Sequence, residues 1–180
     1  MTDDRLFSRV VRVDALPPEG QVVTIEATPG EREELASFYQ LPAIAALTAT
    51  LRLEPSGRGG ARVTGAVHGE LTQVCVVSLE PFPATVDEAV DIRFAPQMAA
   101  DSKSLPGKET ETFSLADEDE PDPVINGKID LGSLVAEFFA LGLDPYPRKS
   151  GAVLDEQSAN SEPVDSPFAA LAQRDKSGSN

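Results

Sequence analysis

The side chains best suited to chemistry in this chain are one cysteine and one histidine. Cys75 lies in LTQVCVVSLEPF (residues 71–82), and Ser78 stands where a C-x-x-C pair would carry its second sulfur. His68 points, on a strand, to the face opposite Val67. Metal sites and Cys–His catalysis need two or three such groups held together, and no phosphate-binding, zinc-binding or nucleophilic-serine motif occurs. The sequence therefore predicts no catalytic residue, no metal site and no cofactor.

The parity of Cys75 along its strand indicates how this thiol is placed. Cys75 shares its parity with Val67 and Leu71, so it is expected on the buried face. A buried free cysteine behaves as a small apolar side chain, and burial raises its pKa. The sequence favours a structural thiol, and an enzymatic or redox role for Cys75 stays as the alternative. Loss of function in Cys75→Ser with unchanged stability would favour that alternative.

The charge of the chain restricts its partners. Thirty acidic and 15 basic residues give a net charge of -15 at pH 7. Such a chain repels nucleic-acid phosphates, so a basic protein is the better electrostatic match for a partner. The alternative is that the charge only keeps the protein soluble. The N-terminal residues MTDDRLFSRVVRV contain no apolar signal region, and no run of about 18 apolar residues follows. These features predict a cytoplasmic protein that contacts no membrane, and no small-molecule ligand is evident.

The first half of the chain alternates strand and helix patterns. The segments FSRVVRV (7–13) and QVVTIEA (21–27) predict strands because they are rich in β-branched residues. Thr28 and Glu31 form a capping box that predicts a helix, with Leu35, Phe38 and Tyr39 as its apolar stripe and Pro42 as its stop.

Three strands forming an antiparallel meander are predicted between residues 43 and 94. Their buried faces would carry Leu47, Ala49, Leu51, Leu53; Val63, Val67, Leu71, Cys75; and Ala84, Val86, Val90, Ile92, Phe94. A second helix follows, with Asp130 as N-cap, Pro145 and Pro147 as its stop, and the stripe Leu131, Leu134, Val135, Phe138, Leu141, Gly142. The predicted fold class is α+β: an antiparallel β-sheet of about five strands with two packed helices.

Two polar segments are expected besides the packed part of the chain, one inserted within the predicted domain and one following it. We expect one α+β domain over residues 1–147, with an acidic mobile insert at about 97–127, and a disordered tail over 148–180. The tail holds one short apolar block, PFAALA (167–172). We take the partner-binding candidates from these two segments: Asp117, Glu118, Asp119, Glu120, Phe168 and Leu171. The alternatives are a solvated acidic loop without a specific partner and a tail that packs loosely on its own domain.

Three segments, in this order, resemble the YceD family of large ribosomal RNA subunit accumulation proteins. They are CVVSLEPF, IDLGSLVAEFFALGLDPYPR and PFAALA. The residues that carry the resemblance are Cys75, Leu79, Glu80, Pro81, Ile129, Asp130, Leu131, Pro145 and Pro147. Many members carry a second cysteine where this chain has Ser78, so a dithiol or metal role is not essential to a shared function.

The resemblance implies a non-enzymatic factor for synthesis, processing or stability of large-subunit (23S) rRNA, that is, for bacterial ribosome biogenesis. Combined with the acidic charge, it leads us to expect a binding module for a basic ribosomal or assembly protein, associated indirectly with the rRNA. Direct RNA binding stays as the alternative. A basic patch built in the fold would support it, and the candidate residues are Arg9, Arg12, Arg52, Arg62 and Arg93.

Overall fold

The computed structural model describes residues 6–57, 59–96 and 121–153. In these ranges the chain forms seven β-strands, two α-helices and a 3-10 turn at Val13–Ala15. The strands are β1 (Val10–Arg12), β2 (Gln21–Glu26), β3 (Ala43–Ser56), β4 (Gly60–Val74), β5 (Pro81–Pro96), β6 (Asp122–Val124) and β7 (Lys128–Asp130). The helices are α1 (Pro29–Phe38) and α2 (Leu131–Leu141). The predicted α+β class is confirmed.

The main sheet has five strands in the order β2-β3-β4-β5-β6. The predicted meander of β3, β4 and β5 is present and antiparallel. Strand β6 instead runs parallel to β5, which the sequence did not indicate. A long connection precedes β6, and parallel neighbours need such a connection. The first strand also departs from expectation, because β1 pairs with β7 in a separate two-stranded sheet.

The core lies on one face of β3, β4 and β5, as the two-residue period predicts. Leu47, Leu51 and Leu53 on β3 have no exposed surface, and Val63 on β4 has none either. Helix α1 packs against β3, and α2 packs against β4 and β5. The outer face carries an exposed row of small residues, in which Ala66 stands between Thr50 and Ala89.

Helix α1 begins as the sequence predicts and packs differently. The hydroxyl of Thr28 accepts from the Glu31 backbone N–H, and the Glu31 carboxylate accepts from the Thr28 backbone N–H. The predicted stripe is only partly buried, because Leu35 is buried whereas Phe38 is 65% exposed. Ala36 is buried instead, and Phe38 lies roughly 200° around the helix from it. The helix ends at Phe38, ahead of Pro42.

Helix α2 begins at the predicted N-cap, Asp130. Its buried line runs from Leu131 through Val135 to Phe139, at a spacing of four residues. Phe139 was absent from the predicted stripe, and Leu141, which was included, is 70% exposed. Leu141 follows Phe139 by two positions, which turns it roughly 200° away from the sheet.

Regular structure is present in part of the segment that the sequence assigned to the acidic insert. The acidic insert was expected to run to about residue 127, yet β6 already joins the main sheet at Asp122–Val124. At the other end, packed chain continues past residue 147, since Lys149 contacts Glu80. None of the helices in the three described ranges is long and apolar enough to cross a membrane.

Candidate functional site

Two segments about 70 residues apart in the sequence meet at one end of the sheet. The backbone N–H of Val76 donates to the Pro147 carbonyl at 2.9 Å, and the Gln73 amide donates to the Asp144 carbonyl at 3.2 Å. The Lys149 ammonium contacts the Glu80 carboxylate at 2.9 Å. We call residues 75–80 and 144–149 together the turn–loop junction. It contains five residues of the family resemblance: Cys75, Leu79, Glu80, Pro145 and Pro147. A sixth, Pro81, follows the turn directly.

The turn in this junction holds a leucine in an unfavourable conformation. Leu79 has a φ of 59°, which is in the left-handed region that L-residues other than glycine rarely adopt. Two backbone bonds close the turn, from Leu79 N–H to the Cys75 carbonyl and from Cys75 N–H to the Glu80 carbonyl, both at 2.9 Å. The constrained turn leaves the Leu79 side chain 75% exposed.

Exposed apolar side chains gather around this turn. Leu79 is joined by Val76, which is 45% exposed, and by Tyr146, which is 73% exposed. The Tyr146 backbone is fixed by a bond from its N–H to the Asp144 carboxylate at 2.8 Å, with a proline on either side. Exposed aromatic and aliphatic anchors on a rigid backbone are typical of protein-binding surfaces. Tyr146 and Val76 were not among the predicted site residues, although the P-Y-P sequence was a signal for the former.

The Cys75 thiol is buried, as predicted, but its acidity is not what burial suggests. Its side chain has no exposed surface. Hydrogen bonds from Ser78, through the hydroxyl and then the backbone N–H at 3.4 Å, lower the pKa of Cys75 to about 6. Backbone N–H groups of Lys149 and Val77 act in the same direction. These donors outweigh burial, so the expectation of a raised thiol pKa is wrong.

The Cys75 thiolate should make stability depend on pH. The pKa of the folded thiol lies below the unfolded value of about 8.5. The thiolate therefore contributes fully to the free energy of unfolding above about pH 8.5, and this contribution is lost as the pH falls through about 6. We therefore expect the free energy of unfolding of the unmodified chain, minus that of Cys75→Ala, to rise between these pH values. Urea denaturation at stepped pH measures it. A difference that does not change with pH would contradict the lowered pKa.

The structure offers no metal partners for this thiol. Across the described residues, no group of three or more His, Cys, Asp or Glu side chains is arranged to hold a metal ion. His68, on β4, is directed to the opposite face of the sheet, where its Nδ1 lies 2.6 Å from the Asp87 carboxylate. Cys75 and His68 therefore do not form a catalytic pair.

His68 provides a simple pH test, because it is the single histidine of the chain. The hydrogen bond to Asp87 is the main cause that raises the pKa of His68 above its usual value of about 6.5. The stabilisation is present below about pH 6.5 and is lost as the pH rises through the raised pKa. We expect Asp87→Asn to lower the pKa measured by NMR, and Asp91→Asn, which alters the neighbouring pair, to leave it unchanged. Equal effects would contradict the assignment.

The second group of family-motif residues lies at the start of α2. Ile129 and Leu131 are buried, and the Asp130 carboxylate between them caps the helix by accepting from the backbone N–H groups of Gly132 and Ser133. The same carboxylate accepts from the Ser8 hydroxyl and from the Arg9 backbone N–H, both at 2.8 Å. Asp130 therefore joins the N-terminal segment to α2.

Four of the five arginines proposed for an RNA-binding patch, Arg9, Arg12, Arg52 and Arg62, are individually paired with carboxylates. Arg9 binds Glu31 through two bonds of 2.8 and 2.9 Å and lowers the pKa of Glu31 to about 2. Three more arginines each form an ion pair with a carboxylate: Arg12 with Asp14, Arg52 with Glu54, and Arg62 with Asp91. The fold thus offsets these four cations locally and does not build a basic patch from them.

The remaining predicted partner-binding residues are Asp117, Glu118, Asp119, Glu120, Phe168 and Leu171. All six lie outside the residues that the structure describes, and their role stays a prediction.

Comparison with known families identifies the chain's relatives. A family model described as large ribosomal RNA subunit accumulation protein YceD matches residues 63–173, more than half of the chain. The match spans the turn–loop junction and α2, and it extends through the PFAALA block. Searches among curated proteins and among solved structures each found no match. The resemblance seen in the sequence is confirmed, and the chain belongs to the YceD family.

Proposed function

We propose that this chain supports the accumulation of large-subunit rRNA as a non-enzymatic binding module whose direct partner is a basic ribosomal or assembly protein. The family description supplies the link to large-subunit rRNA. The acidic charge supplies the choice of partner, because a chain of net charge -15 attracts cationic proteins and repels phosphates. We place this activity in the bacterial cytoplasm, where ribosomes assemble.

The pairing of Arg9, Arg12, Arg52 and Arg62 with carboxylates is the observation that carries the proposal. A protein that grips an RNA backbone uses its cations to neutralise phosphates. Here four cations that could serve this purpose are already bonded within the fold. The exposed apolar side chains of the turn–loop junction add a surface suited to a protein partner.

A tagged pull-down from native lysate at low salt, with and without RNase, tests this proposal. We expect a basic ribosomal or assembly protein to remain bound after RNase treatment. Recovery of large-subunit rRNA together with loss of every partner after RNase would instead support direct RNA binding. That outcome would overturn the argument from charge.

Variants can assign the contact segments. Changing Asp117 through Glu120 to Asn and Gln is preferable to deleting residues 101–122, because such a deletion would enter β6 at Asp122. Glu33→Gln with Glu34→Gln, on the exposed side of α1, removes half as many charges and controls in part for a general loss of charge. We expect the first variant to weaken capture and the control to retain it. The pair Phe168→Ala and Leu171→Ala tests the tail block in the same assay.

One observation favours a second candidate function. The lowered pKa of Cys75 gives it the thiolate character of a reactive cysteine. Its lack of exposed surface opposes a role in redox chemistry. Cys75→Ser decides between the binding module and a reactive cysteine. A variant of unchanged stability that no longer supports rRNA accumulation would establish the reactive cysteine. A variant that still supports rRNA accumulation would exclude it.

A further inference from the structure

The outer edge of β5 lacks a strand partner over most of its length. Strand β5 pairs with β4 from Pro81 to Phe94, whereas β6 reaches only the last three residues, Phe94–Pro96. Within the described part of the chain, no backbone hydrogen bond joins the outer side of residues 84–92 to another segment. Pro81 and Pro83 have no N–H to donate, so the usable edge begins at Ala84.

Charge distinguishes the partners that could occupy this edge. Residues 84–92 contain Asp87, Glu88 and Asp91 and no Lys or Arg. Asp87 and Asp91 are exposed although each also bonds to a β4 side chain, His68 and Arg62 respectively, and Asp122 on β6 is exposed at the far end of the same edge. A second copy of this acidic chain would bring like charges together across the new ladder. An extended segment rich in Lys and Arg would place opposite charges there.

The packing of α2 leaves the edge accessible in the plane of the sheet. A Cβ on Gly142, at the C-cap of α2, would lie 2.4 Å from Val86 and 2.8 Å from Glu88, which are inner-face residues of β5. A Cβ on Gly69 of β4 would lie 2.6 Å from the Phe139 ring. The helix therefore lies over the inner face of both strands.

We infer that the outer edge of β5, over residues 84–92, is a strand-addition site for an extended Lys/Arg-rich segment of a protein partner. The inference rests on the proposed function, because it assigns the surface and binding mode that the basic partner uses. Main-chain hydrogen bonds to the edge supply affinity, and the acidic side chains select a cationic sequence. The same charges keep the edge from pairing with other copies of the chain.

Amide hydrogen exchange of the full-length protein tests the binding mode with a defined probe. The peptide (Lys-Val)4 is added at low salt, and (Glu-Val)4 serves as the matched control. In the free protein, the amides of residues 84–92 that point away from β4 should exchange quickly. With the basic peptide they should slow by about tenfold, while the acidic peptide leaves them unchanged.

Two lysine variants test the position of the site. Ala89 on β5 and Ala66 on β4 face each other in one exposed row, but only Ala89 is on the edge strand. We expect Ala89→Lys to weaken binding of the basic peptide by about tenfold and Ala66→Lys by less than about twofold. Circular dichroism verifies that both variants are folded.

Several results would overturn the inference. The first is slow amide exchange of the edge in the free protein, which would mean that the chain itself fills the edge. The second is equal protection by both peptides, and the third is equal effects of the two variants. The pull-down separates this failure from that of the proposed function. If a basic partner is captured equally by the unmodified chain and by Ala89→Lys, the function stands and the edge assignment fails. If no basic partner is captured, the proposed function fails, and this inference with it.

Discussion

Phe139→Ala is expected to lower the free energy of unfolding by about 3–5 kcal/mol, the usual cost of removing a buried aromatic ring from a core. Phe139 has no exposed surface and packs against β4 where Gly69 leaves room for its ring. Its ring also lies 5.9 Å from that of Tyr39, measured between centroids. Because these neighbours belong to different elements, they cannot easily close the cavity. Urea denaturation followed by circular dichroism measures the loss.

Phe38→Ala is the matched control, because it removes the same side chain from an exposed position. Phe38 is 65% exposed and makes an edge-on contact with Tyr39 at 5.1 Å. We expect it to cost less than about 1 kcal/mol, mainly through the lost aromatic contact. Comparable losses in the two variants would contradict the packing of α2 described above.

Asp130→Ala has the second largest expected effect, a decrease of about 2–3 kcal/mol in the free energy of unfolding. Removal of an N-cap side chain typically costs about 1 kcal/mol. The variant also leaves the Ser8 hydroxyl and the Arg9 backbone N–H without their carboxylate acceptor. Amides of β1 should exchange faster as well, because β1 follows directly after Arg9 and pairs with β7, which ends at Asp130. Denaturation and amide exchange together measure both effects.

Asp14→Ala is the control for this carboxylate. Asp14 forms an exposed pair with its neighbour Arg12, and exposed pairs contribute little. Its loss should leave the free energy of unfolding nearly unchanged. Unchanged stability in Asp130→Ala would contradict the structural role of this family-motif residue and would make a binding role the better interpretation.

Local patterns in the sequence were sufficient for the class of fold and for the starts of both helices. The alternation of apolar residues along β3 and β4 placed Leu47, Leu51 and Val63 in the core without any knowledge of their neighbours. Thr28 and Asp130 were recognisable as caps because a cap depends on residues within the next turn. The family could also be recognised from the sequence, because the resemblance rests on the order of segments along the chain.

Contacts between distant segments were decided by the tertiary structure alone. Periodicity offers several helix faces, and only the position of the sheet selects Phe139 over Leu141 for burial. The same reason explains the parallel return of β6, the meeting of residues 75–80 with 144–149, and the carboxylates that pair with Arg9 and Arg62. The acidity of Cys75 is the clearest case. Its strand parity predicted burial, while the hydrogen bonds that lower its pKa depend on how the turn closes and where Lys149 docks.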